Sequence, residues 1–267
     1  MAKIRADQRL LDQGLVDNVK TAQALIMSGI VLTINHEKIL TSGQQIANDT
    51  QLYLKKADHS YVSRGGLKLK KAVDTFDLDL TNKIIVDIGS STGGFTDVSL
   101  QEGASLVYAI DVGTNQLVWS LRNDDRVIVM EQTNFRECIK EDFTKGIPEI
   151  AVIDVSFISL KIILKTLKTI LPDHKPVVAL IKPQFEAKRD QVEDGGLVTD
   201  PKVHKDILLY TADFINNLGY KIEELTPSPI KGGKGNIEFI SLLIQGENQE
   251  KNIVDMIEEA VEASKHI

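Results

Sequence analysis

KIIVDIGSSTGGF, residues 83–95, is the stretch from which the fold is read. Its first half is an apolar run broken only by Asp87, the pattern of a strand buried on both faces of a parallel sheet. Its second half is a glycine-rich turn at the carboxyl end of that strand, where open α/β sheets bind ligands. Gly89 is expected to form the tight turn, and Gly93 and Gly94 to let a ligand approach the backbone. The spacing is not the GxGxxG of dinucleotide sites, and no glycine run ends in GK[ST] as a nucleoside triphosphatase requires. Asp111 closes the next strand, 22 residues after Gly89, where a carboxylate can accept both hydroxyls of a ribose. The arrangement suits an adenosyl cofactor without a pyrophosphate, S-adenosylmethionine. A dinucleotide remains an alternative, as does a turn with no ligand in which Asp111 is a strand-end cap.

Outward from this turn the βα texture repeats. LVYAIDVG, RVIVME, EIAVIDVSF and KPVVALIKP read as further buried strands, with a helical stretch from Ile158 to Ile170 and a long helix in PKVHKDILLYTADFINNLG. KIEELTPS and NIEFISLLIQ complete the set, and the tight connection SPIKGGKG predicts that one of them runs antiparallel. The fold class is therefore α/β, a Rossmann-like sheet covered on both faces. ENQEKNIVDMIEEAVEASKHI, within 246–267, predicts a terminal amphipathic helix with Ile253, Met256, Ile257, Ala260 and Val261 on one side.

The carboxyl ends of these strands carry ionisable groups. Asp154 ends the fourth strand, Lys182 ends the fifth, and Glu238 begins the reversed last strand, so all three meet at one rim. Lys68 lies in the segment leading into the sheet. Each taken singly is an ordinary salt-bridge member. Converging, they offer a lysine kept neutral by its surroundings as a base toward a hydroxyl, with the other charges positioning it.

Residues 1–60 have a different texture. RADQRLLDQG and NVKTAQALIMSG predict two short helices, the second capped by Asn18 and ended by Gly29. Brief strands are expected at Ile30–Thr33 and Gln51–Leu54, and ADHSYVSRGG, with the lead-in helix to residue 81, links this module to the body at 82–245. The formal charge is −7 overall. Residues 1–71 nevertheless hold 11 Lys and Arg against 6 Asp and Glu, a local excess of +5 that would suit a polyanion. One cysteine, Cys138, excludes a disulfide framework and is read as an inert buried thiol. The five histidines form no metal-binding pair, and His59 and His204 are expected at the surface or as caps. The charged start MAKIRADQRLLDQ and the absence of a long apolar run give a cytoplasmic expectation.

KLKKAVDTFDLDL, DIGSSTGGFTDVSLQEGA, YAIDVGTNQL, DVSFISL, LIKPQFE and SPIKGGKGNIEF together closely resemble the TlyA family. Its members are S4-domain ribosomal RNA 2'-O-methyltransferases, often labelled hemolysin A, with a catalytic domain of the FtsJ/RrmJ class. The likeness runs from Lys3 to about Gln245. It implies an N-terminal S4-like α+β RNA-binding domain and a class I S-adenosylmethionine-dependent methyltransferase sheet. It also implies a catalytic tetrad of Lys68, Asp154, Lys182 and Glu238, with Lys182 as general base and no metal. By the same likeness Ser90, Thr92, Gly93 and Phe95 surround the methionine end of the cofactor, Asp87, Gly89 and Gly94 belong to the same cofactor site, Asp111 holds its ribose, and Asn134 sits near the adenine edge. Arg5, Arg9, Lys20, Lys38 and Arg64 are the candidates for RNA contacts, and ribosomal subunits the implied partner, with cytidine 2'-hydroxyls of 16S and 23S RNA as targets. Ala6 and Arg9 replace the leucines usual in the family, and DVGTNQL replaces the frequent DVGYGQL. Two other classes compete. One is an RNA-binding assembly factor that keeps the fold without turnover. The other is a membrane-lytic protein, against which the acidic polar side of the terminal helix argues.

Overall fold

The computed structural model describes residues 3–27, 29–54, 61–246 and 252–267. Its contacts divide the chain into Met1–Ser60 and Tyr61–Ile267.

The first unit is a small α+β module. Strand β1 (Lys3–Arg5) leads into α1 (Ala6–Asp12) and α2 (Val19–Met27), followed by β2 (Val31–Thr33), β3 (Gln45–Ala47) and β4 (Leu52–Leu54). The strands form two antiparallel pairs, β1 with β3 and β2 with β4. Asn18 accepts the Thr21 amide at 2.9 Å, the capping bond its side chain favours. Ala6, Leu10, Ala22, Ile26, Val31 and Ile39 make the core. Ala6 is fully buried, so the smaller side chain at this position still fills a core site.

In the second unit the order is α3 (Gly66–Phe76), β5 (Ile84–Ile88), α4 (Gly94–Gln101), β6 (Leu106–Ile110), α5 (Trp119–Arg122), β7 (Val127–Met130), β8 (Ile150–Ile153), α6 (Leu160–Ile170), β9 (Val177–Ile181), α7 (Pro183–Glu186), α8 (Pro201–Asn217), β10 (Tyr220–Pro227), β11 (Phe239–Gln245) and α9 (Ile253–Ser264). Seven strands form one sheet in the order β10-β11-β9-β8-β5-β6-β7. β5 to β9 are mutually parallel, whereas β11 runs antiparallel to both β9 and β10. The strand order reverses between β5 and β8, which opens a crevice at their carboxyl ends.

Both faces of the sheet are covered, which explains its continuous apolar strands. Val86, Ile88, Ile110 and Ile153 face one layer with α6, α8 and α9, while Ile85, Val107, Val152 and Leu180 face another with α3 and α4. α3, in the stretch read as a linker and lead-in, buries Leu69, Ala72 and Val73 in that second layer. Of ADHSYVSRGG, residues 57–60 lie outside the described set, as does His59. α9 buries Ile257, Ala260 and Val261 against the first layer. Among the described residues no helix is long and apolar enough to cross a membrane. His204, expected at the surface or as a cap, is instead 2 % exposed: its Nε2 pairs with the Val198 carbonyl at 2.8 Å and its ring meets Phe239 edge-on. Burial holds its pKa below the usual histidine value. Cys138 is buried, and that burial pushes its thiol up to about 11.

Candidate active site

The rim above β8, β9 and β11 gathers four charged side chains from four elements. Lys68 enters from α3, Asp154 follows β8, Lys182 follows β9 and Glu238 precedes β11. Lys68 Nζ donates to Glu238 Oε2 at 2.6 Å and lies 3.5 Å from Asp154 Oδ2. Lys182 Nζ is 2.5 Å from Asp154 Oδ1 and donates to Ser156 Oγ at 3.2 Å. The charges thus alternate along one chain of contacts: Glu238, Lys68, Asp154, Lys182. Both lysines are 7 % exposed and Glu238 only 2 %. Burial alone would lower the pKa of Lys68, but the Asp154 and Glu238 carboxylates and their hydrogen bonds outweigh it, so its pKa is raised and it stays an ammonium. A neutral amine is therefore not found at Lys68. Of the two lysines it is Lys182 that lines the cavity beside this cluster.

That cavity has two connected parts. The larger, about 770 Å³, is lined by Gly89, Asp111, Val112, Asn134, Phe135 and Ile162 among others. The smaller, about 220 Å³, is lined by Ser90, Thr92, Gly94, Phe95, Asp154 and Lys182. Gly89, Ser91, Asp154 and Ser156 border both. Their combined size and partly apolar lining are those of a small-molecule site. The residues fit an adenosyl cofactor on two observations. Gly89, at φ +87°, makes the tight turn that carries the chain along both parts of the cavity, and any Cβ there would stand 2.6 Å from the Asp154 carbonyl oxygen. Ser90 Oγ is buried at the smaller recess without a hydrogen-bond partner among the described residues, a polar group awaiting one. Asp111 already accepts the Ser91 amide on one oxygen and the Gly113 amide on the other, at 2.8 and 2.7 Å. Each oxygen keeps a further lone pair for a ribose hydroxyl. The strand-end cap and the ribose acceptor are therefore compatible roles of one side chain.

Other expected ligand contacts are rearranged. Gly93 does not border the cavity: a Cβ there would strike Leu121 and come within 2.8 Å of Leu117, and its φ of +98° suits glycine. At Gly94, which does border the smaller part, a Cβ would strike Ser63 Oγ and stand 2.9 Å from the Gly66 amide nitrogen. Both glycines serve the packing of α4 against its neighbours, not ligand approach alone. Asp87 lies wholly beneath the turn, accepting Thr96 Oγ1 at 2.6 Å. Burial pushes its carboxyl up to about 7 despite the Thr96 bond. Asn134 caps the short turn that follows it, accepting the Arg136 amide at 3.3 Å, and still faces the larger cavity.

The basic candidates divide similarly. Arg5 is committed to the buried Asp7 through two bonds of 3.0 and 2.6 Å, and Arg9 Nε donates to the Thr50 carbonyl at 2.9 Å. Arg5 chiefly holds the Asp7 carboxyl below its usual range. Lys20, Lys38 and Arg64 are exposed. Arg64 is flanked by Ser63 and Gly65, both of which border the smaller cavity.

Three residues at or beside the candidate site escape sequence reasoning. Ser156 touches Lys182 and borders both cavities. Gly232 makes room for Glu238, whose carboxylate any Cβ there would strike. Glu186 accepts Ser159 Oγ at 2.6 Å and the Leu160 amide at 2.7 Å, fixing the start of α6 beside the larger cavity. The motifs DVSF, SPIKGG and KPQFE held these residues, but their partners are distant in sequence.

Comparison with known proteins adds to this geometry. The FtsJ-like methyltransferase family matches residues 61–244. The chain belongs to that family. The same chain is 49 % identical over 265 residues to YqxC of Bacillus subtilis, covering 97 % of this chain and 94 % of that one. It is 37 % identical over 238 residues to the 16S/23S rRNA (cytidine-2'-O)-methyltransferase TlyA of Mycobacterium tuberculosis, covering 89 % and 88 %. A solved structure from Streptococcus thermophilus, described as a hemolysin, matches with a TM-score of 0.77 at 48 % identity, covering 100 % of this chain and 97 % of that one. FtsJ-like membership makes the chain an S-adenosylmethionine-dependent methyltransferase, which agrees with a Rossmann-like sheet bearing its cavity at the β5/β8 reversal.

Proposed function

We propose that this protein methylates a ribose 2'-hydroxyl of ribosomal RNA, with Lys68, Asp154, Lys182 and Glu238 as its catalytic groups. The observation that carries the reading is the position of Lys182, with Nζ 2.5 Å from Asp154 and on the wall of the recess that begins at Ser90. S-adenosylmethionine, when bound, supplies an electrophilic methyl on sulfur. Gly89, Ser90, Thr92 and Phe95 hold its amino-acid end and Asp111 its ribose, while Asn134 lies toward the adenine. Lys182, after giving up its own ammonium proton to solvent, receives the proton of the attacking 2'-hydroxyl. Asp154 orients the Lys182 amine and balances the charge that appears on it, and the Lys68–Glu238 pair fixes Asp154 from behind. Alignment and electrostatic preorganisation supply most of the acceleration.

The relative from Mycobacterium tuberculosis, named for cytidine 2'-O-methylation of 16S and 23S RNA, supports cytidine as the target base. The first unit, an S4-like module, would bring the RNA, with its exposed Lys20 and Lys38, and Arg64 of the second unit, meeting phosphates that position the substrate without reading its sequence. Arg5 and Arg9 contribute less, since their guanidiniums are engaged within the module. The ribosomal substrate and the free, buried Cys138 support a cytoplasmic setting. The test is transfer of labelled methyl from S-adenosylmethionine to purified 30S and 50S subunits, with Lys182→Ala alongside. Label as a 2'-O-methylnucleotide with wild type, lost in Lys182→Ala, is the expected result. Equal label with the variant would remove Lys182 from the chemistry, and no label on either subunit would remove ribosomal RNA as substrate.

A further inference from the structure

Between β6 and α5 the chain crosses residues 111–118 without regular structure, yet this loop carries Asp111, Val112 and Gln116 onto the wall of the larger cavity. A loop of this kind has no ladder to hold it, so its amides must find partners elsewhere. Three consecutive amides, those of Asn115, Gln116 and Leu117, converge on one carboxylate, Glu131, at 2.8, 2.9 and 3.1 Å. Arg122 adds a fourth donor at 2.6 Å. Oε1 accepts Gln116, Leu117 and Arg122, while Oε2 accepts Asn115. Glu131 stands directly after β7, and its side chain is 11 % exposed. Burial would raise its pKa, but the converging donors hold it below the usual carboxylate range. The neighbouring residues extend the grip. Gln132 donates its amide to the Gly113 carbonyl and its side chain to Thr114 Oγ1, each at 3.0 Å, and the Thr133 amide donates to the Asp111 carbonyl at 3.0 Å. Asp111 in turn ties this loop to the glycine-rich turn through the Ser91 amide.

We propose that Glu131 is a positioning residue that fixes the 113–117 loop, and through it Asp111 and Gln116, in the geometry that receives the adenosyl ribose, and so sets cofactor affinity without taking part in methyl transfer. This rests on the cofactor reading given above. Backbone N–H groups arranged as a concave nest need an anion, and here the chain supplies its own. Without it three amide donors lose their common carboxylate and turn to water or other acceptors, so the loop is no longer pinned in this conformation. Rearrangement moves Asp111 and Gln116 off the cavity wall, but none of Lys68, Asp154, Lys182 or Glu238 touches this loop. The expected signature is a loss in binding with the chemical step intact.

The experiment uses the full chain as wild type, Glu131→Ala and Glu131→Gln, with S-adenosylhomocysteine as the calorimetric probe. Methyl transfer is followed over a range of S-adenosylmethionine concentrations. Glu131→Ala is expected to weaken the probe by about tenfold and to raise KM for S-adenosylmethionine in parallel, with kcat within about twofold of wild type. Glu131→Gln keeps the Oε1 acceptor and its three donors, so it is expected to lose only about threefold. Should Glu131→Ala fail to fold, Glu131→Gln alone decides, because it preserves size and most of the bonds. A folded variant whose probe affinity and KM match wild type would overturn the proposal, as would a fall in kcat at unchanged KM. A wild-type protein that does not bind S-adenosylhomocysteine would overturn the cofactor reading beneath it, an outcome distinct from unchanged binding in the variants.

Discussion

Removing one member of the Lys68–Glu238 pair leaves a charge buried without compensation. Glu238→Leu strips Lys68 of its partner at 2.6 Å and leaves only Asp154, at 3.5 Å and already shared with Lys182. At an effective dielectric of about 20, attraction at these two distances is about 6 and about 5 kcal/mol. Most of that offsets the cost of taking the ions out of water. The measurable loss on breaking a buried pair is about 3–5 kcal/mol. Lys68→Met exposes the converse, since Glu238 is 2 % exposed and Gly232 already closes one side of it. Each single variant is therefore expected to lose about 3–5 kcal/mol in urea unfolding, with an unchanged slope. The double variant Lys68→Met/Glu238→Leu removes both ions and is expected to recover most of the loss, a coupling of several kcal/mol of opposite sign to the single losses. It should fold and yet transfer no methyl. Single losses below about 1 kcal/mol, or a double variant whose loss is the sum of the two, would refute the reading of this pair as a mutually dependent buried ion pair.

Four further outcomes follow from the structure. Lys182→Ala is expected to reduce methyl transfer by about a thousandfold or more while S-adenosylhomocysteine binding, measured by calorimetry, stays within a few-fold, because the amine meets the substrate side of the recess. Gly89→Ala places a Cβ 2.6 Å from the Asp154 carbonyl at a φ of +87°, so cofactor binding should be lost and stability should fall by about 1–3 kcal/mol in thermal unfolding. Asp87, with a folded pKa of about 7 against about 3.9 when unfolded, binds its proton more tightly in the native state, so its contribution is fully present below about pH 4 and is lost as pH rises through 7. Asp87→Asn should accordingly raise the melting temperature more at pH 8 than at pH 5.5, provided Thr96 keeps its bond. Cys138 is expected to resist iodoacetamide at pH 8 in the native protein and to react once the chain is unfolded in urea, since burial has pushed its thiol up to about 11.

What the sequence revealed was governed by pattern and topology. The runs at Ile84–Ile88, Leu106–Ile110 and Val177–Ile181 are apolar but for Asp87 because both faces of the sheet are covered, and that continuity is visible residue by residue. The rim position of Asp154, Lys182 and Glu238 was legible because a parallel sheet with one reversed strand sends those ends to the same side. Pairings between three-residue strands, β1 with β3, were not legible, because three residues are too few to display a period. Nor was Glu131, whose partners are three amides of a loop of unremarkable composition and Arg122 of α5. Glycine illustrates the limit well. The run at 93–94 announced close approach, but only coordinates reveal that Leu121 and Ser63 are what approach. His204 looked like a surface residue because a lone histidine in a helix gives no sign of which face it occupies.

β11 lies between β9 and β10 although it is the last strand in sequence, and β10 hydrogen-bonds to no other strand in its sheet. The sheet therefore cannot be built from its middle outward in order of synthesis: β10 must wait, unpaired, for the strand that follows it. Glu238 arrives with that strand and meets Lys68, from which it is separated by 170 positions of sequence. Contacts so distant along the chain form late, after the local βα units that they join. The wall of the larger cavity is built from residues at and beyond the ends of β5, β6, β7 and β8, with α6, and can be complete while the charged cluster is still missing its last member. A partly folded chain would thus grip a cofactor before it could use it, and competence for chemistry becomes a report that the whole sheet has closed.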